Sequence, residues 1–289
     1  MKKVEYLFLR IIVFCFKICP YFCLYIISDI FYIIIYYFIA YRKKVVRDNL
    51  EQSFKNKTKS ELKQIEKQFY KHLCDTTIET IKGFSVKKEK LLKRYHVVNP
   101  ELANKYFKNN QDVIFLASHY GNWEYGILAM PYYLKHKLVS LYMPMSNKYT
   151  EKYGVMVRQR FGMNMVKVQD TKSVFENRDT TPIGVIMAAD QSPSNIERAI
   201  WINFLNRKTA CLHGPEAYSK KTGMPLLYFS INKTKRGYYS VTIESLIDDP
   251  INEKPEEITK KYMQRLEQDI INKPQFWLWS HRRWKHKSN

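Results

Sequence analysis

Residues 6–41 are mostly apolar, and Pro20 divides them. Beyond it, residues 21–41 carry one charge, Asp29. As a helix that stretch would be about 32 Å long, enough to cross a hydrocarbon core of roughly 30 Å. A chain with such a segment must bury it against protein or give it to a bilayer. Asp29 lies about a third of the way along. A carboxylate near the bilayer centre costs about 2.5–3.5 kcal/mol on insertion scales, and less near the interface. One tilted span fits this pattern, and so does a helix–break–helix anchor that dips into one leaflet. A buried helix of a soluble protein is the third arrangement. A cleaved leader fits poorly, because the apolar region is long and no small-residue cleavage site follows it. Arg42, Lys43, Lys44 and Arg47 come directly after. They outnumber Lys2 and Lys3, so the positive-inside rule assigns the rest of the chain to the cytoplasm.

Charge narrows the partners. The 289 residues hold 48 Lys and Arg against 27 Asp and Glu, a formal net charge of +21. That excess calls for an acidic partner: nucleic acid, an anionic membrane or a phosphorylated substrate. The 22 Tyr, 16 Phe and 5 Trp suit surfaces with one apolar and one wet side. Cys15, Cys19 and Cys23 recur at helical spacing amid apolar residues and read as small hydrophobes. Cys74 and Cys211 are isolated, so no disulfide framework is indicated and a reducing compartment fits better.

Residues 45–95 read as helices. An apolar face of Leu62, Ile65, Phe69 and Leu73 continues to Thr76 or Thr77 and on through Glu79 and Lys82, with Gly83 as the stop. Lys87 to Arg94 form a basic run, read as solvated surface that can also touch anionic lipid. Further on, short apolar runs at 113–117, 138–142, 183–189, 226–231 and 241–246 read as strands. Helical stretches lie near 124–136, 148–162, 172–177, 213–223 and 255–273. That alternation predicts an α/β fold, a mixed sheet flanked by helices, with an N-terminal membrane-anchoring helix. The expected division is an anchor at 1–44 and an α/β domain at 45–289.

Residues 118–126 hold the densest chemistry. They follow the apolar run 113–117 and read as a strand–turn–helix. His119 and Glu124 are five positions apart, so on one helix they would diverge by roughly 140°. They meet only if the chain doubles back at Tyr120, Gly121 and Asn122. Gly121 permits the unusual φ, and Asn122 suits the N-cap or a substrate contact. A carboxylate on the histidine would fix its tautomer for general-base work. The alternative is a structural histidine with Glu124 at a helix dipole.

Ligands bind beyond the carboxyl ends of strands in such sheets. Two further segments fall there: Tyr142 to Asn147, and Ala188 to Pro193. In the latter, Asp190 and Gln191 either hold a polar substrate group or cap a turn. Arg158 and Arg160 either clamp a phosphate or are surface charge. His213 opens a helix with Pro215 in its first turn, and is a possible second catalytic histidine. The tail holds Trp277, Trp279, His281, Arg282, Arg283 and Trp284. It could stack nucleobases, sit among headgroups or pack on the domain. No phosphate-cradling loop or dinucleotide fingerprint is present.

Together these segments resemble the late acyltransferases of lipid A biosynthesis, the lauroyl/myristoyl transferase family, over nearly the full length. The resemblance rests on the anchor, residues 41–44, Asn49 and Leu50, and the His-x4-acid pair His119 and Glu124. It continues with Tyr142 to Pro144, Arg158, Asp190 and the terminal motif at 277–284. The His-x4-acid motif is shared with many glycerolipid acyltransferases, whereas the terminal motif is more specific. The resemblance implies a glycerolipid-acyltransferase-like fold on the cytoplasmic face of the bacterial inner membrane. It implies acyl transfer from acyl carrier protein, as co-substrate, to a hydroxyl of a phosphorylated glycolipid acceptor. No cofactor, metal or nucleic acid is implied. His119 becomes the general base and Glu124 its orienting partner. Arg158 and Asp190 become further site residues, with Asn122 and Arg160 beside them as candidate substrate contacts. Met143 departs from the family, which usually has Arg inside the Tyr-x-Pro segment, and so opens the question of the acceptor.

Overall fold

The computed structural model describes residues 2–176 and 180–286. Its centre is a seven-stranded sheet in the order β1-β9-β8-β2-β5-β3-β4. These strands are β1 (Tyr95–Val97), β2 (Val113–Ala117), β3 (Lys137–Tyr142), β4 (Asn164–Lys167), β5 (Ile183–Ala188), β8 (Leu226–Lys235) and β9 (Tyr238–Ile247). All neighbours are parallel except the β8–β9 hairpin. A separate antiparallel pair, β6 (Ile200–Phe204) and β7 (Arg207–Cys211), stands beside it. The mixed α/β expectation therefore holds.

The apolar runs became the central strands because a parallel strand covered on both faces must be apolar throughout. Val113, Ile114, Phe115 and Leu116 are all fully buried in β2. Strands β1, β4, β6 and β7 were not anticipated. They are short or mix polar and apolar residues, as in Arg207–Cys211, and carry little periodic signal. The expected helices are present as α7 (Trp123–Ala129), α8 (Lys148–Gln159), α9 (Thr171–Glu176), α10 (Gly214–Thr222) and α11 (Glu257–Asn272). Asn177, at the end of the expected 172–177 helix, lies outside the described residues.

On the N-terminal side come α1 (Lys2–Ile18), α2 (Tyr21–Ile33), a π-helical turn (Ile34–Ile39), α3 (Lys43–Ser53) and α4 (Lys59–Gly83), followed by the short α5 (Lys88–Leu92) and α6 (Pro100–Lys108) on either side of β1. Thr58 and Glu61 close a capping box at the start of α4, and Gly83 ends it as expected. α4 is not simply amphipathic. It buries Glu66, His72, Asp75, Glu79 and Lys82. Groups of this kind are tolerated inside only when they are paired. Asp75 accepts from Ser28, Lys233 and Arg236, and Glu79 from Tyr25, Asn122 and Tyr239. α4 is thus the hub between the N-terminal helices, the hairpin and the turn after β2.

Candidate active site

The register of β2 on β5 sets the site. Ala117 lies opposite Ala188, so two residues further on His119 and Asp190 leave the sheet side by side. His119 Nδ1 lies 2.7 Å from Asp190 Oδ1, and the His119 backbone N–H donates to Oδ2 at 3.0 Å. Trp277 Nε1–H adds a third donor to Oδ2 at 2.9 Å. Asp190 is fully buried, and three donors to one carboxylate compensate that burial. Its pKa is lowered: burial acts to raise it, but the adjoining His119 and these hydrogen bonds outweigh the burial. His119 shifts the opposite way. Burial opposes its charged form, yet the Asp190 carboxylate prevails and raises its pKa above 6.5. With Nδ1–H donated to Asp190, the lone pair is on Nε2, the nitrogen left to a substrate.

This corrects the expected partner of His119, which is Asp190 and not Glu124. The turn forms as predicted: Gly121 has φ +63°, and the Asn122 side chain caps α7 by accepting from the Tyr125 N–H at 2.9 Å. A Cβ at Gly121 would sit 2.7 Å from Ile231, so space as well as φ requires glycine. The turn nevertheless directs Glu124 to Arg158, which donates from Nε at 3.0 Å and Nη2 at 2.8 Å. That pair is about one-fifth exposed, whereas the Asp190 side chain is 2% exposed. The negative charge of Glu124 acts on His119 only at longer range, as a lesser upward influence on its pKa. The Arg158 fork engages Glu124 through Nε and Nη2, so Nη1 stays outside the pair.

Two other candidates sit differently from expectation. Asn122 has both ends of its amide occupied, by the Tyr125 N–H and by Glu79 at 2.7 Å, and is 1% exposed. It braces the turn from the wall of the pocket beside Trp123 and Glu124. Arg160 donates to the carbonyls of Gly83, Phe84 and Val86 at 2.7–3.0 Å, capping the end of α4. His213 precedes α10 as its N-cap, without a side-chain cap hydrogen bond.

The terminal motif proves to be part of the site. Residues 276–278 run antiparallel to the turn: the Gly121 N–H donates to the Phe276 carbonyl and the Leu278 N–H to the His119 carbonyl. Asn49 in turn holds this segment through the carbonyls of Trp279 and His281. Of the three placements open to the tail, packing on the domain is the observed one. Trp277, Trp279 and Arg283 are at most 2% exposed and offer no stacking platform. His281 accepts from the Ser192 N–H at Nε2, and burial drives its pKa down to about 4, so it is neutral near pH 7. Trp277 and His281 were legible only as motif members, because nothing in their spacing shows that the chain end returns to β2.

Beneath the turn, buried His72 contacts the Gly121 carbonyl through Nε2 at 3.2 Å. Beside it, Trp123 and Glu124 face Leu73, Thr76 and Thr80 of α4 across a small pocket closed by Leu278. Trp123 also meets the His119 ring edge-on at 5.2 Å. A base with a free Nε2, a buried carboxylate behind it and an arginine–carboxylate pair alongside form a group fit to deprotonate a hydroxyl. A family model described as bacterial lipid A biosynthesis acyltransferase matches residues 2–286. No curated protein matches the chain in direct comparison.

Proposed function

The chain belongs to the bacterial lipid A biosynthesis acyltransferase family, and on that footing we propose that it moves an acyl chain from acyl carrier protein to a hydroxyl of a lipid A precursor at the inner membrane. His119 is the base. Its Nε2 takes the hydroxyl proton as the oxygen attacks the thioester carbonyl, and Asp190 stabilises the imidazolium that results. The new C–O bond forms a tetrahedral oxyanion, to which Arg158 Nη1 is the nearby cationic donor. The Gly121 N–H is already given to Phe276 and is not free for that role. Collapse breaks the C–S bond, and His119 returns the proton to the leaving thiolate. Glu124 then holds Arg158 in place beside the base.

The observation that carries this reading is the His119–Asp190 pair, with Nδ1 engaged and Nε2 left to a substrate. The net charge of +21 suits both an acidic carrier protein and a phosphorylated lipid. Lipid A mass spectra from strains with and without the gene test it. The deletion is expected to lose one acyl group, restored by the wild-type gene and not by His119→Ala. Lipid A unchanged by the deletion would contradict it. A second reading keeps the chemistry and changes the acceptor to another glycolipid or an amino-lipid. It rests on Met143, an exposed thioether where the family usually has arginine. The same deletion would then alter a different lipid.

A further inference from the structure

From the way α1 and α2 dock on the rest of the chain, we infer that they form a platform lying in the plane of one leaflet and do not cross the bilayer. This rests on the membrane reading above and adds how the chain sits there.

The segment Tyr21–Ile39 is apolar and long enough to cross, but one side of it is fastened to the α/β domain along its length. Tyr21 hydrogen-bonds Tyr125, Tyr25 donates to Glu79, Ser28 donates to Asp75, and Asp29 pairs with Arg236 at 2.7 Å. Tyr36 is 2% exposed and packs on Tyr70. These contacts run over 16 residues, about 22 Å of helix from first to last. The hairpin turn comes so close that a Cβ on Gly237 would stand 1.7 Å from Tyr25 Oη. The preceding corner is clamped too. Lys82 Nζ donates to the carbonyls of Phe16, Lys17 and Cys19, neutralising the C-terminal end of α1. A helix crossing upright with these contacts intact would carry Asp75, Glu79, Lys233 and Arg236 into hydrocarbon, where ionisable groups are strongly disfavoured.

The opposite side is free and apolar. Phe22, Ile26, Ile30 and Ile33 form one exposed stripe on α2, and Val4, Leu7, Ile11 and Phe14 form another on α1. Exposed Lys2, Lys3, Arg10 and Lys17 accompany the α1 stripe, and Arg42 and Lys44 follow the α2 stripe. Apolar stripes with cations around them match the boundary between acyl chains and anionic headgroups, into which such helices sink by about 5–10 Å. Asp29, the charge that an upright span would have to bury, instead meets Arg236 at the stripe's edge.

Depth measurements decide between the two arrangements. Cys15, Cys19 and Cys23 are replaced by Ser in the full chain, which must retain acyl transfer. Single spin labels are then placed at Phe22→Cys, Ile26→Cys, Ile30→Cys and Ile33→Cys in phosphatidylglycerol/phosphatidylethanolamine vesicles. The in-plane platform predicts four depths that agree within about 3 Å. An upright helix, rising 1.5 Å per residue, would separate positions 22 and 30 by about 12 Å and overturn the inference. Labels shielded from both oxygen and a water-soluble relaxer would mean that a second copy of the chain covers the stripe, which also overturns it. A chain that transfers acyl groups yet shows the 12 Å gradient fails this inference alone. A chain that does not float with vesicles fails the membrane reading with it.

Discussion

Two carboxylates stand within reach of the turn that carries His119, and their surroundings set them apart. Asp190 is shut away from water with three donors, one of them the His119 ring. Glu124 is one-fifth exposed and engages Arg158 side by side. The first arrangement fixes a tautomer and raises the pKa of a base. The second holds a guanidinium at the edge of a pocket. Nearness in sequence favoured Glu124 as the partner of His119, but strand register selected Asp190, 71 positions away. A carboxylate five residues downstream is carried off by the helix that the turn begins, whereas one on the neighbouring parallel strand exits at the same height.

Removing the proposed base itself is expected to have the largest effect. His119→Ala is expected to lower kcat/KM by about 10³-fold or more, in keeping with the 10²–10⁴-fold typical of placed bases, with vesicle binding retained. Asp190→Asn comes next, at about 10²-fold in kcat, because the ring loses its fixed tautomer and the imidazolium its counter-charge. Its acid limb also moves. The base works neutral, so the rate rises with pH through the pKa of His119; without the carboxylate, burial lowers that pKa and the limb shifts to lower pH. Glu124→Gln is expected to cost about 10-fold, mostly in KM for the acceptor, as Arg158 loses its anchor. The limb moves the same way but less, since Glu124 is the weaker influence on His119. Trp277→Phe has the smallest effect on rate, a few-fold. It leaves a buried carboxylate oxygen short of one donor, and a stability loss of about 1–3 kcal/mol should appear in denaturant titration. A Glu124→Gln defect as deep as that of Asp190→Asn, with an equal pH shift, would erase the distinction between the two carboxylates.

Much of this frame is readable in the chain itself. The apolar runs of β2, β3 and β5 announce themselves because buried parallel strands have little polar face to disguise them, and the β8–β9 hairpin shows in the buried start of β8 and the alternation of β9. The turn was legible from Gly121 and Asn122, whose backbone and capping chemistry are local. What depends on distant segments meeting was not. The Asp190 pairing needs the β2–β5 register. Glu79 and Lys82 could be placed on the inner face of α4, but the partners that pair Asp75, Glu79 and Lys82 there exist only once α1, α2 and the hairpin are in place. Arg94, within a run expected to be solvated, lies over the Tyr21 ring at 3.3 Å for the same reason. The terminal motif could be recognised as a pattern, but its task of bracing residues 119–121 exists only once the chain returns to them.

The pH dependence of kcat/KM, compared for the wild-type, Asp190→Asn and Glu124→Gln proteins, tests the central claim most directly. The wild-type acid limb is expected above the ordinary histidine value of 6.5, with Asp190→Asn displaced well to lower pH and Glu124→Gln only slightly. A limb that stays put in Asp190→Asn, or moves further in Glu124→Gln, would mean that Asp190 is not what tunes the base.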